Sequence, residues 1–201
     1  MRIYVESNFV LEIVLEQEQH QACEEILTLA ESRAIELALP AFALVEPYES
    51  MVRDERDGKL LAQSLRASAT QLQRTASLAV DVPRLHDAGD LLVRAAQEAW
   101  TRFSDLRTRL LDVAHLLALD AATLQDASQL IAEFGLGLPD AVMLASVLAD
   151  AQAQPSPSVF MNRNTKDFDN DVKERLAQVD CYLLSSFKGG LQHVRHMIGR
   201  T

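Results

Sequence analysis

Positive charge is scarce in this chain: 19 Lys and Arg face 29 Asp and Glu, a net charge of −10 over 201 residues. That balance excludes a broad electrostatic grip on a nucleic-acid backbone, so any nucleic acid must be held locally. Most of the acidic excess is read as solvated helix surface. Aromatic residues make up only 5%, which leaves the core to aliphatic side chains, and the long runs of Ala and Leu favour helices. Only two cysteines occur, Cys23 and Cys181. They lie in apolar stretches without CxxC spacing, which argues against a disulfide or metal pair and predicts buried thiols in a reducing compartment. No run approaches the ~18 apolar residues needed to cross a bilayer, and no charged and apolar leader precedes Arg2; the expectation is a cytoplasmic protein with no membrane partner. Asp57-Gly58-Lys59 lacks the glycine-rich loop of a phosphate-binding turn, and no Ser or Cys stands in a nucleophile-elbow or Cys–His pattern. His193 and His196 have no third ligand nearby and are read as surface residues rather than a zinc site. No long-period repeat or low-complexity tract is present.

What is present is a hydrophobic content of 48%, enough for one sizeable core, and one domain is the default. Residues 2–6 are short, β-branched and aromatic, and stop at Ser7 and Asn8, whose side chains suit a helix cap. Helical patterns follow over 9–15 and again from Ala22 to Ala30. A second apolar run, 35–39, ends at Pro40, and 42–51 reads as a helix carrying Glu46 near its start. This order, strand, two helices, strand, helix, predicts a parallel sheet. Further on, Leu92, Ala96, Ala99, Phe103, Leu106, Leu110, Val113 and Leu117 recur in alternating steps of four and three, a heptad seam. Leu61, Leu65, Ala69, Leu72, Ala76 and Ala79 make a less regular stripe, and Val82-Pro83 separates the two. A long antiparallel helical hairpin over about 52–118 is expected. A helix over 120–134 follows, with Leu124, Ala127, Ile131 and Phe134 on one face and Gly135 as its stop. Pro139 suits the first turn of the next helix, which ends near Asp150. After a linker over 152–158 come a strand at 159–161, a polar turn, a helix over 172–178 and a final strand at 181–184.

In an open parallel sheet, ligands collect beyond the carboxyl ends of the strands. Glu6 ends the first strand, Glu46 follows the second, Asp140 opens a helix, and Asn164 and Asp167 follow the strand at Phe160; all can face one crevice. Carboxylates brought together repel unless a cation is present, and hard oxygen donors suit Mg²⁺ or Mn²⁺. Such an ion activates water and neutralises charge developing on a phosphate. Each acid also has a plainer reading. Glu46 and Asp140, in first helical turns, favour the helix dipole without any function, and Asp167 and Asp169 can simply solvate a turn.

These dispersed acids resemble the PIN-domain nucleases, which include the VapC-type toxins of toxin–antitoxin pairs. Val5-Glu6-Ser7-Asn8 stands where relatives have a strand ending in Asp-Thr-Asn. Ala43-Leu44-Val45-Glu46 carries the second acid and Leu138-Pro139-Asp140-Ala141 the third. Asn162-Arg163-Asn164-Thr165-Lys166-Asp167-Phe168 stands where many members have Thr-Arg-Asp or Thr-Arg-Asn before a Phe. The resemblance covers about residues 1–50 and 119–187, and makes the hairpin an insertion. It implies a PIN-like three-layer α/β/α fold and a metal-dependent endoribonuclease. Glu6, Glu46, Asp140 and Asp167 are the implied metal ligands, and Asn164 takes the fourth-acid position. Two departures stand out. Glu6 is one methylene longer than the usual Asp, which re-spaces the site or weakens activity. Asn164 is neutral, so its amide oxygen would coordinate while Asp167 supplies the charge.

The alternative is a catalytically weakened PIN-like module that binds protein or RNA through the hairpin. A receiver-type phosphoacceptor domain fails on layout, since Glu46 and Asp140 are separate helix-start acids. RNA is the expected substrate. A cognate antitoxin follows from the toxin resemblance, and a homodimer through the heptad seam is left open beside a seam satisfied within the hairpin. Lys188, Arg195 and Arg200 with the two C-terminal histidines are candidates for flanking an RNA groove.

Overall fold

The computed structural model describes residues 1–154, 156–164 and 166–199. The fold is α/β, built on one five-stranded parallel sheet. Strand β1 (Arg2–Val5) is buried throughout and leads into α1 (Ser7–Val14) and α2 (His20–Glu31). Strand β2 (Glu36–Pro40) then leads into α3 (Phe42–Leu72). After α4 (Val82–Val113) come β3 (His115–Leu117), α5 (Ala121–Phe134) and α6 (Leu138–Ala153). The chain continues through β4 (Ser158–Met161), α7 (Asn170–Ala177), β5 (Cys181–Leu184) and α8 (Phe187–Ile198).

The strand order is β3-β2-β1-β4-β5, every neighbour parallel. Crossovers run one way from β1 through β2 to β3 and the other way through β4 to β5, so the topological switch lies between β1 and β4. Side chains alternate between the faces of each strand. Tyr4 lies in register with Ala38 and Phe160, and all three join a core with Leu117, Leu144 and Leu148, Val172 and Leu176. Ile3, Leu37 and Val159, one position earlier, are also buried and face the other way. On that side Phe9 of α1 meets Phe187 of α8 edge to face at 5.6 Å. Gly190 of α8 approaches Met161 so closely that a Cβ there would lie 2.4 Å from Met161 Sδ. Helices therefore cover both faces. Helix α6 sits against β2 and β3 and is buried continuously from Ala141 to Leu148, deeper than its predicted stripe of Leu144, Val147 and Leu148.

The chain divides into two compact units: Tyr48–Ser104, and the sheet-bearing remainder. In the first, the C-terminal part of α3 and the N-terminal part of α4 run antiparallel. Trp100 Nε1 donates to Glu55 at 2.9 Å and Arg66 pairs with Asp90 at 2.6 Å. Tyr48, Trp100 and Phe103 form a ring cluster. This unit carries eight acidic and eight basic residues, so the whole net charge of −10 falls on the sheet-bearing unit.

Several expectations are corrected. The helix expected over 42–51 continues to Leu72 with Pro47 inside it, although proline forfeits a backbone donor there. The compact helical unit is narrower than 52–118, because α4 from Asp105 onward belongs with the sheet. Within the heptad seam Ala99, Phe103, Leu106 and Leu110 are buried as expected, but helix α4 stops at Val113 and Leu117 lies in β3. In the second stripe Leu61 and Ala76 are exposed, while Ala62 and Ala69 carry the contact. Leu124 of α5 is exposed, and Thr123 and Leu130 take its place in the core. Gly135 stops α5 as expected, in the left-handed conformation at φ 68°. The expected linker over 152–158 is shorter, since α6 runs to Ala153, and its Pro155 lies outside the described residues. Both cysteines are free and buried. Burial raises the Cys181 thiol to about 11 and pushes the Cys23 thiol up as well. No single helix among the described residues is long and apolar enough to cross a membrane.

Candidate active site

Glu6 follows the last residue of β1 and is itself the N-cap of α1, a role expected of Ser7 or Asn8. Its Oε2 accepts from Asn8 N at 2.9 Å and from Asn8 Nδ2 at 3.1 Å, and its Oε1 accepts from Arg163 N at 3.3 Å. Glu6 is only 6% exposed. Desolvation dominates its chemistry and raises the carboxyl from 4.5 to about 7; the bonds from Asn8 and Arg163 oppose the shift, and the charge of Glu46 adds to it.

Glu46 is half-buried in α3, one turn further in than expected, since the first turn of that helix holds no acid. Ser7 Oγ donates to its Oε2. Asp140 does lie in the first turn of its helix, behind Pro139. Burial raises its carboxyl, opposed by a bond from Asn164 and reinforced by the charges of Asp167 and Glu46.

Beyond β4 the chain folds back through Asn162, Arg163 and Asn164. The Oδ1 of the buried Asn162 accepts from Asn164 N at 2.6 Å. Asn164 Nδ2 donates both to Asp140 Oδ1 at 3.1 Å and to Asp167 Oδ2 at 2.8 Å. Its amide oxygen, expected as a metal donor, instead accepts from Asp167 N at 3.3 Å. The reason is electrostatic: two carboxylates side by side need a hydrogen-bond donor between them, and the NH₂ group supplies it. Thr165 lies outside the described residues.

The five predicted site residues thus fall into three hydrogen-bonded groups. Glu6 is tied to the segment after β4 through Arg163, and Asp140 and Asp167 are bridged by Asn164. Glu46 is hydrogen-bonded to Ser7, and its charge acts on both Glu6 and Asp140. The donors are hard oxygens, which suits Mg²⁺ or Mn²⁺, while the raised Glu6 and Asp140 carboxyls owe their shifts first to burial. As the side chains stand, however, among the described residues no three His, Cys, Asp or Glu are grouped to hold an ion. Each carboxylate is turned to a protein donor instead, so the chemistry of the set fits a cation while its present hydrogen bonding holds the set apart.

Other candidates resolve more simply. Asp169 caps α7, accepting from Asp171 N and Val172 N. His193 and His196 lie on α8, with no third ligand grouped to them among the described residues. Arg195 is paired with Glu25, and Arg200 lies outside the described residues.

The residues not foreseen are Glu12 and its partner Arg163. The signal for Glu12 was visible, as a single acid inside the apolar run Phe9-Val10-Leu11-Glu12-Ile13-Val14. No protein-family model, no curated protein and no solved structure compared with this chain matches it.

Proposed function

We propose that the protein is a metal-dependent endoribonuclease of PIN-like type, with a three-layer α/β/α sheet domain and the helical hairpin as an insertion. One observation carries the reading. Acids from distant segments, Glu6 after β1, Glu46 in α3 and Asp140 at the head of α6, share one electrostatic field beside the switch between β1 and β4, where ligands of open parallel sheets bind. Glu6, Glu46, Asp140 and Asp167 would hold Mg²⁺ or Mn²⁺. When bound, that ion supplies an activated water and a counter-charge for the phosphate. The chain's own residues do the rest. Glu6, at about 7, holds a proton for part of the time at neutral pH, which a bound cation would displace. Asn164, which now donates to both Asp140 and Asp167, would have to release their oxygens for them to serve as ligands. The neutral balance of Tyr48–Ser104 argues against that unit as a general RNA grip, so the RNA is held at the site itself.

A second reading has its own support. Leu60, Leu61 and Leu91 of the helical unit are each more than half exposed, which suits a protein partner, an antitoxin or a second copy, for a weakened PIN-like module.

The deciding experiment incubates purified protein with RNA and Mg²⁺ or Mn²⁺, alongside Asp140→Asn. The expected result is cleavage by the unaltered protein only, abolished by chelation. Equal cleavage by both, or none by either, would sink the nuclease reading.

A further inference from the structure

Glu12 is fully buried in α1, at 0% exposure. A carboxylate in that position must have both oxygens satisfied, and both are. Oε1 pairs with Arg163 Nη1, and Oε2 accepts from Gln19 N at 2.6 Å. Arg163 is the residue whose peptide N–H donates to Glu6, and the next residue, Asn164, bridges Asp140 and Asp167. The sheet ladder gives this segment its last support where Asn162 N bonds Leu184 O at 3.0 Å. From there to Phe168, whose N–H reaches Asn164 O at 3.2 Å, none of the described residues lies in a helix or strand. An apolar side chain at position 12 would match its neighbours Leu11 and Ile13 and avoid the desolvation cost of an ion pair.

We propose that Glu12 is a positioning residue: its pairing with Arg163 tethers the segment after β4 to α1, and so fixes where Glu6, Asp140 and Asp167 stand relative to one another. The tether acts through Arg163 and touches no substrate. Only its consequence for cation binding rests on the nuclease reading.

Glu12→Gln separates the two branches. One amide oxygen still accepts from Gln19 N, while the NH₂ group cannot accept from Arg163. Arg163→Met, of similar length but with no donor, cuts the same branch from the solvent side and leaves Glu12 and Gln19 in place. In full-length, metal-free protein, amide hydrogen exchange is read at Arg163 and Gln19, and Mn²⁺ affinity by electron paramagnetic resonance. Both variants are expected to speed exchange at Arg163 at least ~10-fold, leave Gln19 unchanged, and weaken Mn²⁺ binding by ~10-fold, the low end for a residue that orients ligands. Unchanged exchange at Arg163 in both variants, or exchange rising evenly through α1 and β4, overturns the tether. Should the unaltered protein take up no Mn²⁺, the nuclease reading falls, and exchange at Arg163 still decides the tether. Should Glu12→Gln fail to fold, Arg163→Met decides alone.

Discussion

Replacing Glu6 by glutamine probes the electrostatics of the site without any substrate. The carboxyl is raised from 4.5 to about 7 by burial, so between those values the folded protein binds a proton that the unfolded chain has released. Stability therefore falls as pH rises through this window. Below about 4.5 both states are protonated and the penalty is absent; above about 7 it is complete. A difference of ~2.5 units at ~1.4 kcal/mol each comes to ~3 kcal/mol. The substituted amide would carry no charge and would keep an oxygen for the two Asn8 donors, but its NH₂ would face Arg163 N, losing a long bond worth ~1 kcal/mol. Glu6→Gln is thus expected to be more stable than the unaltered protein by ~2 kcal/mol at pH 8, or ~4–8 °C in Tm for a chain of this size. At pH 4 the advantage disappears and the variant falls slightly below. The raised carboxyl of Asp140 is present in both proteins and cancels in the comparison. Thermal unfolding followed by circular dichroism in chelator, from pH 4 to 8, makes the measurement. A Tm difference that does not change with pH, or a variant less stable at pH 8, refutes the account of Glu6 as a desolvated carboxyl.

Asn164→Asp replaces the donor between Asp140 and Asp167 by a third carboxylate. In chelator at pH 8 it is expected to lower stability by ~1–2 kcal/mol, with the loss recovered on adding Mn²⁺; calorimetric scans with and without the ion read both effects. Gly190→Ala puts a methyl onto the fully buried Met161 and is expected to cost ~1–3 kcal/mol. Met161→Ala in the same chain should recover part of that cost, and a double-mutant cycle of urea unfolding measures the coupling.

How much of this was legible depends on local signals. The strand at Cys181–Leu184 and, within a residue, those at Arg2–Val5, Glu36–Pro40 and Ser158–Met161 are short apolar runs closed by Asx, Pro or Ser, and their boundaries follow from that punctuation. Strand β3 was hidden because Leu117 continues the four-three spacing of Leu110 and Val113. A three-residue edge strand has no periodicity of its own to break that pattern. Helix α8 carries Gly189 and Gly190, which local propensity disfavours, and the reason for Gly190 is the close approach to Met161 in a distant strand. The acids at Glu6, Glu46 and Asp140 were readable from their places at strand ends and helix starts. Their hydrogen-bond partners were not: that Asn164 donates to both Asp140 and Asp167, and that Glu12 reaches Arg163, are consequences of packing between segments far apart in the sequence.

The pairing of β1 with β4 brings residue 2 beside residue 158, and this has a meaning for biosynthesis. Strand β1 is made well before β4, so its edge toward β4 stays open until Ser158–Met161 have followed. Long-range parallel pairing of this kind is slow, because loop closure precedes any gain from contact. Arg163, Asn164 and Asp167 emerge later still. A nascent or truncated chain that ends before them contains Glu6, Glu46 and even Asp140, yet has no assembled site. On the proposed reading, the site is withheld by topology until Arg163, Asn164 and Asp167 have been made.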